Sequence, residues 1–153
     1  MNPVDSSAEL NDTLAKLETA LLTPVVSGEL ESWARTAEGA TNSLGRCLPE
    51  YLKSVLHRQY AEIARTDPEL LSRVQQLIEQ DRLVMIELDA LRLRVAEMVK
   101  QAKEVSKDEV RLAAERSKVE QDGIALILKV KRQRAAADTW LAEAAYRDHG
   151  LVD

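Results

Sequence analysis

Polar residues that interrupt apolar helical lines are where chemistry would begin in this chain. Asp81 falls within Leu70, Val74, Leu77, Val84, Leu88, Leu91, Val95, Met98, Ala102 and Val105, which recur every three or four residues. Gln133 interrupts a comparable line through Leu112, Val119, Gly123, Leu126, Val130, Ala137, Trp140 and Ala144. Gln59 shares a face with Leu52, Leu56 and Ile63. An inward carboxylate beside inward amides has two uses. It can ligate a metal or small molecule, with Glu50 or Glu62 as further oxygen donors, or it can hydrogen-bond across helices and fix their register. We read all three residues as register-setting polar groups. An unpaired buried carboxylate costs several kcal/mol, roughly, so on this reading Asp81→Leu is neutral or stabilising.

Other chemistries lack their residues. A di-iron carboxylate bundle needs Glu-x-x-His pairs, yet three residues before His57 and His149 stand Ser54 and Tyr146. A zinc-protease motif, a phosphate-binding glycine loop, a dinucleotide fingerprint and a zinc finger are all missing. Cys47 and His57 are the one conceivable nucleophile and base, but they are about 15 Å apart along a straight helix. Cys47 reads as a small buried hydrophobe and His57 as a boundary residue. Lys129, Lys131, Arg132 and Arg134 form a basic cluster, with Lys100, Lys103, Lys107 and Arg111 around a loop. Acidic residues interleave elsewhere and no aromatic lies within the cluster, so it reads as a solvated helix face. Trp33 and Trp140 fall on inward faces and read as core plugs.

The elements that must position these residues follow from composition and punctuation. In 153 residues, 45% are hydrophobic and 31% charged, with 5 Gly, 4 Pro and no Phe. That is one domain's length, rich in the best helix formers and poor in the aromatics of a β-sandwich. Thr23-Pro24 through Ser27-Gly28-Glu29 stops one helix, and Ser27 reads as the cap of the next. Asp67-Pro68-Glu69 offers a cap, a proline suited to the first helical position and an acid at the positive helix end. Ser106 and Glu109 have capping-box spacing. The expected helices are therefore about 6–22, 28–65, 68–105 and 108–148. Pro49 should kink or break the second near 45–49. The last three would each be roughly 57 to 60 Å long and, joined by short loops, fold back as an antiparallel up-down bundle. The shorter first helix flanks only part of it, leaving apolar surface for a homodimer or another protein partner.

Several segments then carry a family resemblance. Ala20-Leu21-Leu22-Thr23-Pro24 is followed by Leu30-Glu31-Ser32-Trp33. Next comes Ile63-Ala64-Arg65-Thr66-Asp67-Pro68-Glu69-Leu70-Leu71, with Val74 and Leu77. Last comes Trp140-Leu141-Ala142-Glu143-Ala144-Ala145-Tyr146-Arg147-Asp148-His149-Gly150, with Asp153. Together these resemble bacterial hemerythrin-like proteins of the HHE cation-binding class. The resemblance implies a four-helix bundle with a non-haem di-iron centre on its inner faces. The family's Glu-His pair would fall on Gln80 and Asp81, and its His-Glu-x-x-Glu on Gln133, Arg134 and Ala137. Gln is a poor iron ligand and Ala is none, so the implied site is vacated, with Asp81, Gln133, Gln59 and Ala137 as its candidate remnants.

The formal charge of −5 opposes nucleic acid and anionic membrane as partners, and a single Cys fits a reducing, cytoplasmic setting. The N-terminal stretch has no basic leader, and no run of about 18 uncharged apolar residues could span a bilayer. The expected function is a non-catalytic binding, sensing or scaffold bundle without metal or cofactor. The alternatives are an iron- or oxygen-handling protein using residual carboxylates, and a helical adaptor or chaperone whose exposed groove takes a partner helix.

Overall fold

The computed structural model describes residues 3–26 and 28–150, with side chains for 5–26 and 28–147. Ser27, the expected cap, the His149 side chain and Asp153 lie outside these. The described residues are helical, without a strand: α1 (Pro3–Leu22), α2 (Leu30–Tyr51), α3 (His57–Thr66), α4 (Leu71–Ala102) and α5 (Glu109–Gly150). A π-helical turn, Leu52–Leu56, joins α2 to α3, and a 3-10 turn, Pro68–Leu70, leads into α4.

Of the kink or break expected near 45–49, the break does not occur, and a π-helical distortion follows one turn after Pro49. Pro49 lies inside α2, which runs on to Tyr51. Proline has no N–H to donate to the Gly45 carbonyl, so the ladder loses one bond there. Past it, the Leu52 N–H is shared between the Leu48 and Pro49 carbonyls, and the His57 N–H reaches back five residues to Leu52. A π turn takes in one extra residue, which rotates everything after it by about 100° relative to an unbroken α-helix.

Residues at the helix ends account for the other boundaries. Gly28 sits at φ 88, a conformation that side chains rarely adopt, and turns the chain from α1 into α2. Asp67 is buried, and its Oδ1 accepts from the Glu69 N–H at 3.2 Å while Pro68 takes the first helical position. The N-terminal cap of α5 is Asp108 rather than Ser106, since Asp108 Oδ1 accepts from the Arg111 N–H at 3.1 Å. A carboxylate there also faces the positive helix end, an advantage that Ser106 lacks. Helix α4 stops at Ala102 and not at 105; Val105, placed by periodicity in the apolar line, is fully exposed in the turn beyond.

Around one core, α1 packs on α2 and α5, and α4 packs on α2 and α5. Cross-links step along these contacts: Arg94–Asp122, Glu87–Lys129 (2.6 Å) and Asp67–Arg147 (3.2 Å) descend the α4 side while climbing α5. Between α1 and α5, Glu18–Lys131 (3.9 Å) and Asn11–Arg134 do the same. Leu10, Leu14, Leu17 and Leu21 bury one face of α1 completely or nearly so. Gly123 of α5 packs against Leu21 of α1, and a Cβ there would overlap the tip of the leucine side chain.

Asp67 ties this end of the bundle together by holding both the turn before α4 and Arg147 of α5. Asp67→Ala should therefore lower unfolding free energy by about 1–2 kcal/mol. Asp67→Asn, which keeps the cap and loses only the ion pair, should cost less. Urea unfolding of the two variants measures the difference, and equal losses would assign the effect to the ion pair.

Candidate functional site

The interior of the bundle holds one buried carboxylate bridging three helices. Asp81 of α4 is 3% exposed. Its Oδ2 accepts from the Tyr60 hydroxyl of α3 at 2.7 Å, and its Oδ1 accepts from Gln133 Nε2 of α5 at 2.9 Å. The same Gln133 amide donates its other hydrogen to the Leu77 carbonyl at 2.9 Å, so both N–H groups are used on a single turn of α4. Burial raises the Asp81 carboxyl above its ordinary range, opposed by the bonds from Gln133 and Tyr60 and by the charge of His57. The Tyr60 hydroxyl is pushed up by burial first and by Asp81 second, which keeps it protonated as the donor.

The sequence-expected residues divide around this centre. Asp81 and Gln133 are brought together, and Ala137 lies fully buried one turn beyond Gln133. Gln59 is elsewhere: its Nε2 donates to Asp138 at 3.0 Å, and its Oε1 is buried without a partner. The π turn shifts the phase of α3 relative to α2, so that Tyr60 faces Asp81 while Gln59 faces α5. Tyr60 was the residue missed, although it stands four residues after Leu56 and three before Ile63, the spacing of one helical face. Glu50 and Glu62 face outward, and Glu62 is held below the usual carboxylate range by Arg65 at 2.5 Å. Gln80 is exposed, and Arg134 lies over the Tyr51 ring with its guanidinium carbon 5.5 Å from the centroid.

This arrangement has little room for a reaction. The void beside Asp81, bounded by Leu48, Leu52, Leu56, Val84, Val130 and Gln133, measures about 10 Å³. That is near the minimum for one water. Among the described residues, no group of three or more His, Cys, Asp or Glu side chains is placed to hold a metal ion. Cys47 is buried, and burial raises its thiol pKa, which disfavours the nucleophilic thiolate. Trp33 is buried beneath the Arg116 guanidinium at 5.1 Å, and Trp140 is half-buried beneath that of Arg73 at 5.3 Å. In the basic cluster, Lys129 and Lys131 pair with Glu87 and Glu18. A larger opening of about 830 Å³ lies on the surface between α1 and α2, lined by small and polar residues including Thr13, Thr19, Thr36, Gly39 and Ala40.

Family models, curated proteins and solved structures were compared with this chain, and none matches it. Among the described residues, no helix is long and apolar enough to cross a membrane. What the site can do thus rests on its own geometry.

That geometry alters the expectation for Asp81→Leu. The leucine would strand the Tyr60 hydroxyl and one Gln133 N–H, so the variant should be destabilised rather than neutral. Tyr60→Phe and Asp81→Leu should each cost about 1–3 kcal/mol, and the double variant less than their sum. Denaturant unfolding of the cycle tests this, with strict additivity contradicting the Tyr60–Asp81 bond.

Asp81 also has a pH signature. A carboxyl raised on folding binds its proton more tightly in the folded chain, so its charge burdens the fold above the folded pKa. That burden is relieved as pH falls through the folded value towards the unfolded one. Asp81→Asn keeps the shape without the charge, and the parent should gain stability relative to it as pH falls from the raised folded value towards the ordinary aspartate range. Paired urea titrations read this difference, and a gap that moves the other way would mean a carboxyl lowered on folding.

Proposed function

We propose that this chain is a non-catalytic scaffold or binding bundle, of up-down antiparallel, hemerythrin-like form, whose interior polar site is structural. The observation that carries the reading is the enclosure of Asp81. Both of its oxygens accept hydrogen bonds from neighbouring helices, and the adjacent void is of single-water size. Each oxygen keeps acceptor capacity, but the space beside them holds about one water, too little for a substrate. The opposed stepping of the α4–α5 and α1–α5 cross-links supports the up-down arrangement. On this reading, Gln133 and Ala137 stand where the resemblance implies iron ligands, and the Tyr60–Asp81–Gln133 network fills the space. The chain then works by association, as a homodimer or with another protein, in the cytoplasm, where the buried Cys47 thiol needs no oxidising partner.

The competing use of the same residues is iron or oxygen handling through residual carboxylates. Elemental analysis of natively purified protein, repeated after incubation with ferrous iron and with manganese, separates the two. The expected result is no stoichiometric metal and no change in melting temperature on metal addition. One or two metal ions per chain, lost in Asp81→Ala, would overturn the proposal.

A further inference from the structure

Helix α4 carries a second apolar line that the bundle leaves uncovered. Leu71, Ile78, Ile86 and Leu93 are 48%, 45%, 51% and 74% exposed. At about 100° per residue they fall within roughly an 80° arc, on the opposite side from the buried Val84, Leu88 and Val95. They extend for about 33 Å along the helix.

The spacing of this line is symmetric about one residue. Ile78 and Ile86 lie four residues either side of Arg82, and Leu71 and Leu93 lie eleven either side. A stripe that reads the same in both directions is what a two-fold interface requires, because each residue i meeting j must also have j meeting i. We propose that the outer face of α4 is where a second copy of this chain docks, with the two α4 helices antiparallel and the two-fold axis at Arg82. Leu71 then meets the other copy's Leu93, and Ile78 meets its Ile86.

Charge selects the same register. Gln75 and Asp89 each lie seven residues from Arg82, so the antiparallel pair sets an amide against a carboxylate twice. At the axis the two Arg82 side chains approach each other, each already bound by its own Glu79 at 3.0 and 2.6 Å, and the four charges cancel. A parallel in-register pair would instead oppose Asp89 to Asp89 and Lys100 to Lys100, a like-charge cost that the antiparallel pair avoids. A single helix pair buries less area than a full-sized interface, so association should depend on concentration.

This inference rests on the reading of the chain as one that works by association, and names the partner and the face. Sedimentation of the whole chain up to about 1 mM, well above the micromolar Kd of weak interfaces, is the first measurement. The mass should rise from 17.1 kDa towards twice that value. Ile78→Glu/Ile86→Glu should stay folded by circular dichroism, since both positions are exposed, and remain one chain in mass. In a Cys47→Ala background, Arg82→Cys should cross-link to itself under mild oxidation. Leu71→Cys should fail alone and succeed when mixed with Leu93→Cys. A mass of one chain at every concentration overturns the proposal, as does a dimer that survives Ile78→Glu/Ile86→Glu or a Leu71→Cys variant that cross-links to itself. Metal content is unaffected by any of these results, so the dimer face can fail while the reading of the Asp81 site stands.

Discussion

A carboxylate withdrawn from water must find donors, and that need organises the centre of this protein. Asp81 obtains one from α3 and one from α5, so three helices are rotated and translated into a single arrangement around two oxygens. Apolar packing alone would not impose it. Leucine and valine lines on neighbouring helices can slide by a turn and still bury similar area, whereas a hydrogen bond near 2.8 Å has no second register nearby. Gln133 tightens the constraint because its two N–H groups read both the Asp81 side chain and the Leu77 carbonyl. Hydrophobic burial supplies most of the stabilisation, while the polar centre selects one bundle from several of similar energy.

The donor on α3 exists because of a proline on α2. Pro49 removes one rung of the helix ladder, the chain recovers through a π turn at Leu52–Leu56, and the following residues are rotated by about a quarter turn or more. Leu56, Tyr60 and Ile63 then form the inner line, all at most 1% exposed. Gln59 is carried towards α5, where Asp138 receives its amide. Without the π turn, the amide of Gln59 would face Asp81 and the phenol would face outward, exchanging a rigid donor for a flexible one. The local defect and the distant polar contact are thus linked through backbone register.

Much of the architecture was legible in the residues, and the failures share a cause. Asp67-Pro68-Glu69 signalled a boundary because cap, proline and acid act within a few residues, and the Asp67 bond to the Glu69 N–H shows that cap in place. Asp81 and Gln133 were legible as inward because strict three-and-four spacing leaves them no other direction. Tyr60 was not, since Gln59 and Tyr60 both fit three-and-four spacing between Leu56 and Ile63, and the phase that chooses between them is set by the π turn. Ser106 and Val105 were misplaced because motif spacing says nothing of where a helix ceases to have something to pack against. Asp108, a carboxylate directly before Glu109, was the better cap on electrostatic grounds.

Helix α4 brings these threads together, because it has two apolar sides and the bundle uses one. Its inner side meets α2, α3 and α5 and carries a single polar residue, Asp81, that fixes register among helices of the same chain. Its outer side has the same grammar, large aliphatics with Gln75, Arg82 and Asp89 between them, and those aliphatics are 45% to 74% exposed. A helix required only to cover a core has no need of leucine and isoleucine directly opposite that core, since charged residues there would cost nothing and improve solubility. Leu71, Ile78, Ile86 and Leu93 therefore answer to a demand other than folding. The polar residues among them perform outside the bundle the task that Asp81 performs within it, admitting one register and penalising the rest.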